Sequence, residues 1–417
     1  MQNDAVGAGR SRVSYGNLLR NRHFMALWVG QTISFVGDYF YWLAIPIMVE
    51  RLTGSALMVG LSIISEALPS LLLGPVAGVF VDRWDRKRTM IAADLLRALL
   101  VLLCLLVRTA DQVWIFYLAG FLLSSVSRFF YPARTAALPL IVTDPDDLLA
   151  ANGLMQAVET VGMVVGPALA GFSIGLWGEW VAFLFDSASF FVSAGAVALI
   201  VVPHTTVGQQ SEGGRFAALW AEMRDGVKYL FANRTMVGVL LCLAMVQLGV
   251  GAITVLWVPY LQRTFSVGPE GLGIVDSAQG LGMIIGGVLL GFLVARLSKV
   301  ALAGWGIAII GLLLALMGLA PTFLLVIGIS FVIGLALVPV LSVLTTMMQL
   351  AVPDLKRGRV SSVLNALVTV ATLLSMAAAS GFGEMIGLRT VYVICGLINV
   401  GAGVLGLFVL REPAAVE

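Results

Sequence analysis

Residues 78–88 read GVFVDRWDRKR, and the fold follows from them. Four cations (Arg83, Arg86, Lys87, Arg88) and two carboxylates (Asp82, Asp85) crowd between two long apolar runs. A charge at the centre of a bilayer costs about 2.5–3.5 kcal/mol on insertion scales, so neither run continues through the cluster. The chain therefore leaves the membrane here, turns and re-enters. The positive excess puts the turn on the cytoplasmic side.

Outward from that turn, the 417-residue chain is 59% hydrophobic and 12% charged. A soluble domain is closer to half apolar and a quarter charged. The excess lies in runs long enough to cross a hydrocarbon core of roughly 30 Å, so the chain is a polytopic helical membrane protein. Twelve spans are predicted, roughly 24–49, 57–80, 89–108, 112–131, 151–176, 180–202, 235–261, 270–295, 300–319, 322–348, 360–383 and 388–410. With the N-terminus inside, only Arg51, Arg108, Arg263 and Arg389 fall on the outer side, and Arg97 lies within a span. The remaining 20 of 25 cations are cytoplasmic, which places both termini in the cytoplasm and the chain in the cell membrane.

A net charge of +2 argues against nucleic acid as a partner. Cys104, Cys242 and Cys395 are far apart inside apolar runs, so neither a disulfide framework nor a metal site is expected. His23 and His204 stand at membrane boundaries without ligand-like company. The apolar run after the Arg-rich N-terminal arm is too long for a signal sequence and is kept as the first span.

The organisation reads as a cytoplasmic arm (1–23), a six-helix half (24–202), a linker (203–234), a second six-helix half (235–410) and a tail (411–417). The linker opens with the polar HTTVGQQSEGG, then places Phe216, Leu219, Trp220, Met223, Val227 and Leu230 at helical spacing. That pattern predicts an amphipathic helix in the inner interface. The halves read as repeats: GVFVDR at 78–83 returns as GFLVAR at 291–296, and VTDPDD at 142 returns near VPDLKRGR at 352. Two duplicated six-helix halves are a transporter plan that holds substrate between them near the midplane.

Ionisable groups inside spans are the candidates for chemistry. Asp38, in SFVGDYFYW, is a lone carboxylate amid aromatics, and an apolar setting favours its neutral form, so it can carry a proton. The alternative is a hydrogen-bonded structural Asp. Glu66 and Glu159 are further proton sites or contacts for a cationic substrate. Asp94 and Arg97, three apart, share a helix face and neutralise one another. Asp186 and Asp276 read as nearer the outer face, explained by hydration or capping. Arg128 either snorkels to headgroups or pairs with loop carboxylates. The second half offers neutral polar residues, Gln247, Gln279, Gln349, Asn365 and Asn399. Phe35, Tyr39, Trp42 and Trp257 are candidates for the cavity wall, and sixteen methionines suit it to varied shapes. For any one of them, lipid contact or helix packing is the plainer explanation.

GVFVDRWDRKR resembles the major facilitator superfamily loop motif G-x-x-x-D-R-x-G-R-[KR]-[KR], with Asp85 where glycine is common. GMVVGPALAG, with Gly162, Gly166, Pro167 and Gly171, resembles the motif associated with proton-coupled exporters, with Ala170 replacing one glycine. GQTISFVGDYF, YPARTAALPLIV and AANGLMQ resemble the macrolide-efflux and enterobactin-exporter branch. The resemblance implies an all-α fold of twelve transmembrane helices in two pseudo-symmetric halves. It also implies a cytoplasmic gate of Gly78, Asp82, Arg83, Asp85, Arg86 and Arg88, with Asp82 facing the N-terminus of span 11. Independently of it, small residues at four-residue spacing in span 5 permit close helix approach.

The expectation is a proton-coupled secondary exporter of amphipathic small molecules (drug, macrolide-like or siderophore) by alternating access, monomeric and without cofactor. A lipid or lysophospholipid flippase on the same scaffold is the competing reading. A receptor lacks a folded soluble domain. An enzyme lacks a nucleotide loop, nucleophile motif or metal cluster, and the missing nucleotide loop leaves no direct ATP drive.

Overall fold

The computed structural model describes residues 15–81, 83–202 and 215–410; the side chains of 15, 17, 75–79, 215–223, 234–235 and 354–355 fall outside the description. The described secondary structure is helical. After α1 (Tyr15–Arg20) come α2 (Arg22–Thr53), α3 (Ala56–Val81), α4 (Arg86–Leu103), α5 (Trp114–Ile141), α6 (Pro145–Trp177) and α7 (Trp180–Leu199). Then follow α8 (Arg215–Ala232), α9 (Arg234–Phe265), α10 (Pro269–Arg296), α11 (Lys299–Gly318), α12 (Phe323–Ala351), α13 (Asp354–Ile386) and α14 (Leu388–Val409). Twelve described helices, α2–α7 and α9–α14, are long and apolar enough to cross a membrane. An even number of described spans brings the start of α2 and the end of α14 to the end of the bundle that carries residues 83–86, here the loop end. The opposite end is the far end.

Local chemistry sets the boundaries. The Asn21 side chain accepts from the backbone N–H groups of His23 and Phe24, 3.0 and 3.1 Å, and starts α2. Gly54, at φ +59°, ends it with its N–H on the Glu50 carbonyl. Asp85 caps α4 through the Arg88 N–H at 2.7 Å. Asp144 caps α6, with Pro145 in its first turn. Several helices outrun their apolar windows. α5 continues ten residues past 131, through Pro132 and Pro139, and α6 and α13 begin at 145 and 354 rather than 151 and 360. Hydropathy marks the part of a helix inside hydrocarbon, whereas caps mark where its hydrogen-bond ladder stops.

The packing repeats with the sequence. α2 lies against α6 and α7 as α9 lies against α13 and α14; α3 meets α5 as α10 meets α12; α4 meets α7 as α11 meets α14. The halves join where α6 meets α10 and α3 meets α13, the same pair seen from each side. Glycines permit the closest crossings. Gly304, Gly311 and Gly318, seven apart, face α14, and a Cβ on Gly311 would stand 2.6 Å from the Gly396 carbonyl oxygen. Between the halves, a Cβ on Gly171 of α6 would lie 3.1 Å from the Gly273 Cα of α10. Cys104, Cys242 and Cys395 are free and buried.

In the linker, helix α8 covers the predicted amphipathic segment and only Asn233 separates it from α9. Its Leu230 is buried, Gly226 abuts the Arg359 carbonyl of α13, and Asp225 lies 3.8 Å from the Arg359 guanidinium. The segment docks on the second half, while Val227 and Phe231 stay exposed.

Candidate functional site

A cavity of about 390 Å³ lies between the halves, within the range that holds drug-sized ligands. The first half supplies Tyr39 and Trp42 of α2 and Met163 and Pro167 of α6; α9, α10, α11 and α12 supply the rest. Of the candidate wall residues, Tyr39, Trp42, Gln247, Trp257 and Gln279 line it together. Two expected wall residues do not. The Phe35 ring packs over Gly162, and Asn365 is exposed on α13 outside this lining. Gln247 donates to the Thr372 hydroxyl at 2.9 Å, which holds its amide in place.

Asp276 departs from its sequence reading. Instead of hydration or capping near the rim, its Oδ1 accepts from the Trp257 indole N–H at 3.0 Å and its side chain lines the cavity. Its Oδ2 is buried without a hydrogen-bond partner. The available signal was its spacing: Asp276 stands three residues before Gln279, on one helix face. A smaller adjoining space shares Trp42, Thr254 and Trp257 with the main cavity and reaches Glu66 of α3.

The other ionisable groups gather inside the first half. Asp38 is half-buried and is not in the cavity lining, although its neighbour Tyr39 is. It lies within electrostatic reach of Arg97, Asp94 and Arg134, and Glu66 lies within reach of Asp38 and Arg128. Asp94 and Arg97 form a buried ion pair, in keeping with mutual neutralisation. The Arg97 guanidinium lies 4.2 and 4.4 Å from the ring centres of Phe130 and Phe190. From Asp94 a polar chain runs across the half. Ser193 donates to Asp94 at 2.7 Å, Gln31 donates to Ser193 at 3.1 Å, and Arg134 donates to Gln31 at 3.3 Å. Arg134 also pairs with Glu159 at 3.3 Å, which makes Glu159 a charge partner as well as a site candidate. Asp186 is fully buried beside Gly37, with Oδ2 unpartnered, so rim hydration does not explain it.

Of the expected gate, Asp82 lies outside the described residues, and nothing is described around Gly78. Arg83 and Arg88 are exposed and Arg86 half-buried. Asp85 serves as the α4 cap, and Lys87 donates to the Ala198 carbonyl of α7 at 2.7 Å, both within the first half. The span 5 motif is a packing node: Gly162 and Gly166 seat Phe35 and Tyr39 of α2, while the Pro167 carbonyl and Gly171 meet Gly273 of α10.

A charged clamp joins the halves at the far end. Arg263 of α9 donates to both Glu50 oxygens at 2.5 and 3.0 Å, to Glu384 at 2.9 Å and to the Gly54 carbonyl at 2.9 Å. Glu384 also accepts from the Ala56 N–H at 2.7 Å. In the sequence Arg263 was one of four outer cations and no more. Glycines with open space where a Cβ would point occur toward both ends: Gly74, Gly153, Gly291 and Gly358 at the loop end, Gly54, Gly328 and Gly381 at the far end. The clamp and the α6–α10 crossing thus close the cavity on the far side.

The family model described as Major Facilitator Superfamily matches residues 27–250 and 239–417. Macrolide efflux protein A of Streptococcus pyogenes is 26% identical over 379 residues, covering 90% of this chain and 93% of that one. Multidrug efflux pump Tap of Mycolicibacterium fortuitum is 25% identical, covering 88% and 91%. The crystal structure of a bacterial homologue of the iron transporter ferroportin in an inward-facing state superposes with a TM-score of 0.72 at 17% identity, covering 94% of this chain and 98% of that one.

Proposed function

Because the chain belongs to the major facilitator superfamily and is a multi-pass membrane transporter acting on small molecules, we propose that it is a proton-coupled exporter of bulky amphipathic compounds. The observation that carries this is the cavity: aromatic and apolar, between two pseudo-symmetric halves, closed at the far end. The similarity to macrolide and multidrug efflux proteins supports the outward direction.

With both termini cytoplasmic, the loop end faces the cytoplasm and cargo enters there. Asp38 and Tyr39 are consecutive residues of α2, one turned to the charged interior of the first half and one to the cargo wall. A proton arriving at or leaving Asp38 alters the charge balance around Asp94, Arg97 and Arg134. Cargo pressing on Tyr39 and Trp42 moves the same helix. Glu66, beside the smaller space, relays to the outer side, and the Arg134–Glu159 pair responds from α6. When the far-end clamp parts, Asp82, Arg83 and Arg86 close the loop end, with Gly78, Asp85 and Arg88 shaping that turn.

The test is transport by the full chain in everted vesicles or proteoliposomes with an imposed pH gradient, using a panel of amphipathic compounds. Cargo addition releases protons and cargo accumulates uphill; Asp38→Asn binds cargo but does not concentrate it. Uphill transport by Asp38→Asn at the wild-type level removes the coupling assignment. Movement of lysophospholipid with none of the soluble amphipaths makes the protein a lipid transporter instead.

A further inference from the structure

Asp276 is the one Asp, Glu, Lys, Arg or His among the described residues that line the central cavity. One of its oxygens is fixed by the Trp257 indole, and the other is buried without a partner. No described residue forms an ion pair with it, whereas Glu50 and Glu384 pair with Arg263, Asp94 with Arg97 and Glu159 with Arg134. An ionised carboxylate in an apolar pocket is costly until a cation meets it. Tyr39, Trp42 and Trp257, which line the same cavity, add ring faces that attract a cation.

We propose that Asp276 is the cargo-recognition carboxylate of this cavity and selects lipophilic cations. The cationic centre approaches the Asp276 carboxylate from the cavity, and the apolar body lies along Met163, Ile310 and Ile333. Trp257 is a positioning residue that holds the carboxylate toward the cavity. The inference rests on the transport reading and deepens it: the acids buried in the first half exchange protons, while the acid of the second half reads the charge of the cargo. Asp276 was set aside in the sequence because it lies seven residues inside α10, a position that looks peripheral until α9 and α2 are placed around it.

The experiment is equilibrium binding to the purified full chain, at one pH, with three rigid aryl probes. These are tetraphenylphosphonium (a permanent cation), triphenylphosphine oxide (neutral) and tetraphenylborate (an anion). Wild type binds tetraphenylphosphonium about tenfold or more tighter than the neutral probe, as a desolvated charge pair requires, and tetraphenylborate most weakly. Asp276→Asn binds the neutral probe as wild type does and loses the preference for the cation; Asp276→Glu keeps it. Trp257→Phe narrows the preference without abolishing it. No binding of tetraphenylphosphonium by wild type, equal binding of cation and neutral probe, or an undiminished preference in Asp276→Asn overturns the proposal. Intact discrimination in a protein that fails to drive transport in the pH-gradient vesicles removes the exporter reading and leaves the cation site standing.

Discussion

At the scale of single residues, the largest consequence attaches to Arg97, a guanidinium shut away from water. Asp94 and the faces of Phe130 and Phe190 surround its guanidinium. Arg97→Met strands Asp94 and is expected to cost about 3–5 kcal/mol. Arg97→Met with Asp94→Leu removes both charges and recovers most of the loss. Thermal unfolding of the detergent-solubilised variants checks both values. Asp38, Glu66, Asp94 and Arg97 were legible in the sequence because a charge inside a twenty-residue apolar run cannot hide. The role of Asp276 was not, because a linear sequence gives depth along one helix but not which neighbours stand opposite. For Asp38, its place inside a span was legible but not its company: Arg134 of α5, nearly a hundred positions along the chain, lies within electrostatic reach of it.

At the scale of helices, the function rests on two kinds of seam. The α6–α10 seam is backbone against backbone, so a side chain there has nowhere to go. Gly273→Val is expected to separate the halves at the far end and abolish transport, with a lowered melting temperature. Gly358→Ala, set in open space on α13, leaves both unchanged within about 0.5 kcal/mol. The second seam is the clamp. Glu50 and Arg263 are 213 residues apart, the same interval that separates GVFVDR from GFLVAR. They are repeat-equivalent positions at the ends of α2 and α9, and equivalent positions near a two-fold axis meet each other. The duplication therefore pointed at this pair, through opposite charges at matching sites, more directly than any local motif did. Arg263→Ala is expected to release about 1 kcal/mol of the clamp, since Arg263 and Glu384 are a third or more exposed. That is roughly a fivefold shift toward far-end opening. Faster labelling of a cysteine introduced at the buried position 56 measures it.

At the scale of the molecule, helix number, duplication and the two halves were legible because apolar runs and the 213-residue interval are properties of the whole chain. Helix lengths were less so, since caps such as Asp144 extend helices beyond hydrocarbon. The facing state was not legible at all: it depends on contacts between halves, which sequence distance does not order. The two halves carry unlike chemistry on a shared plan. The first encloses a polar chain from Arg97 to Glu159, while the second gives the cavity one carboxylate and a largely apolar wall. Rigid-body rocking would then bring cargo charge and proton charge into register without moving either residue along its helix.

The three thiols, each enclosed by helix packing, have a practical corollary. A maleimide-linked spin label finds no native target in the folded chain, so the sequence serves as its own cysteine-silent background. Labels at L149C and G291C, one on each half toward the loop end, sit on an exposed side chain and beside open space. Pulsed dipolar spectroscopy on that pair reads the width of the entrance directly. The interspin distance should shorten when cargo binds under a proton gradient, and also, without cargo, when R263A is added.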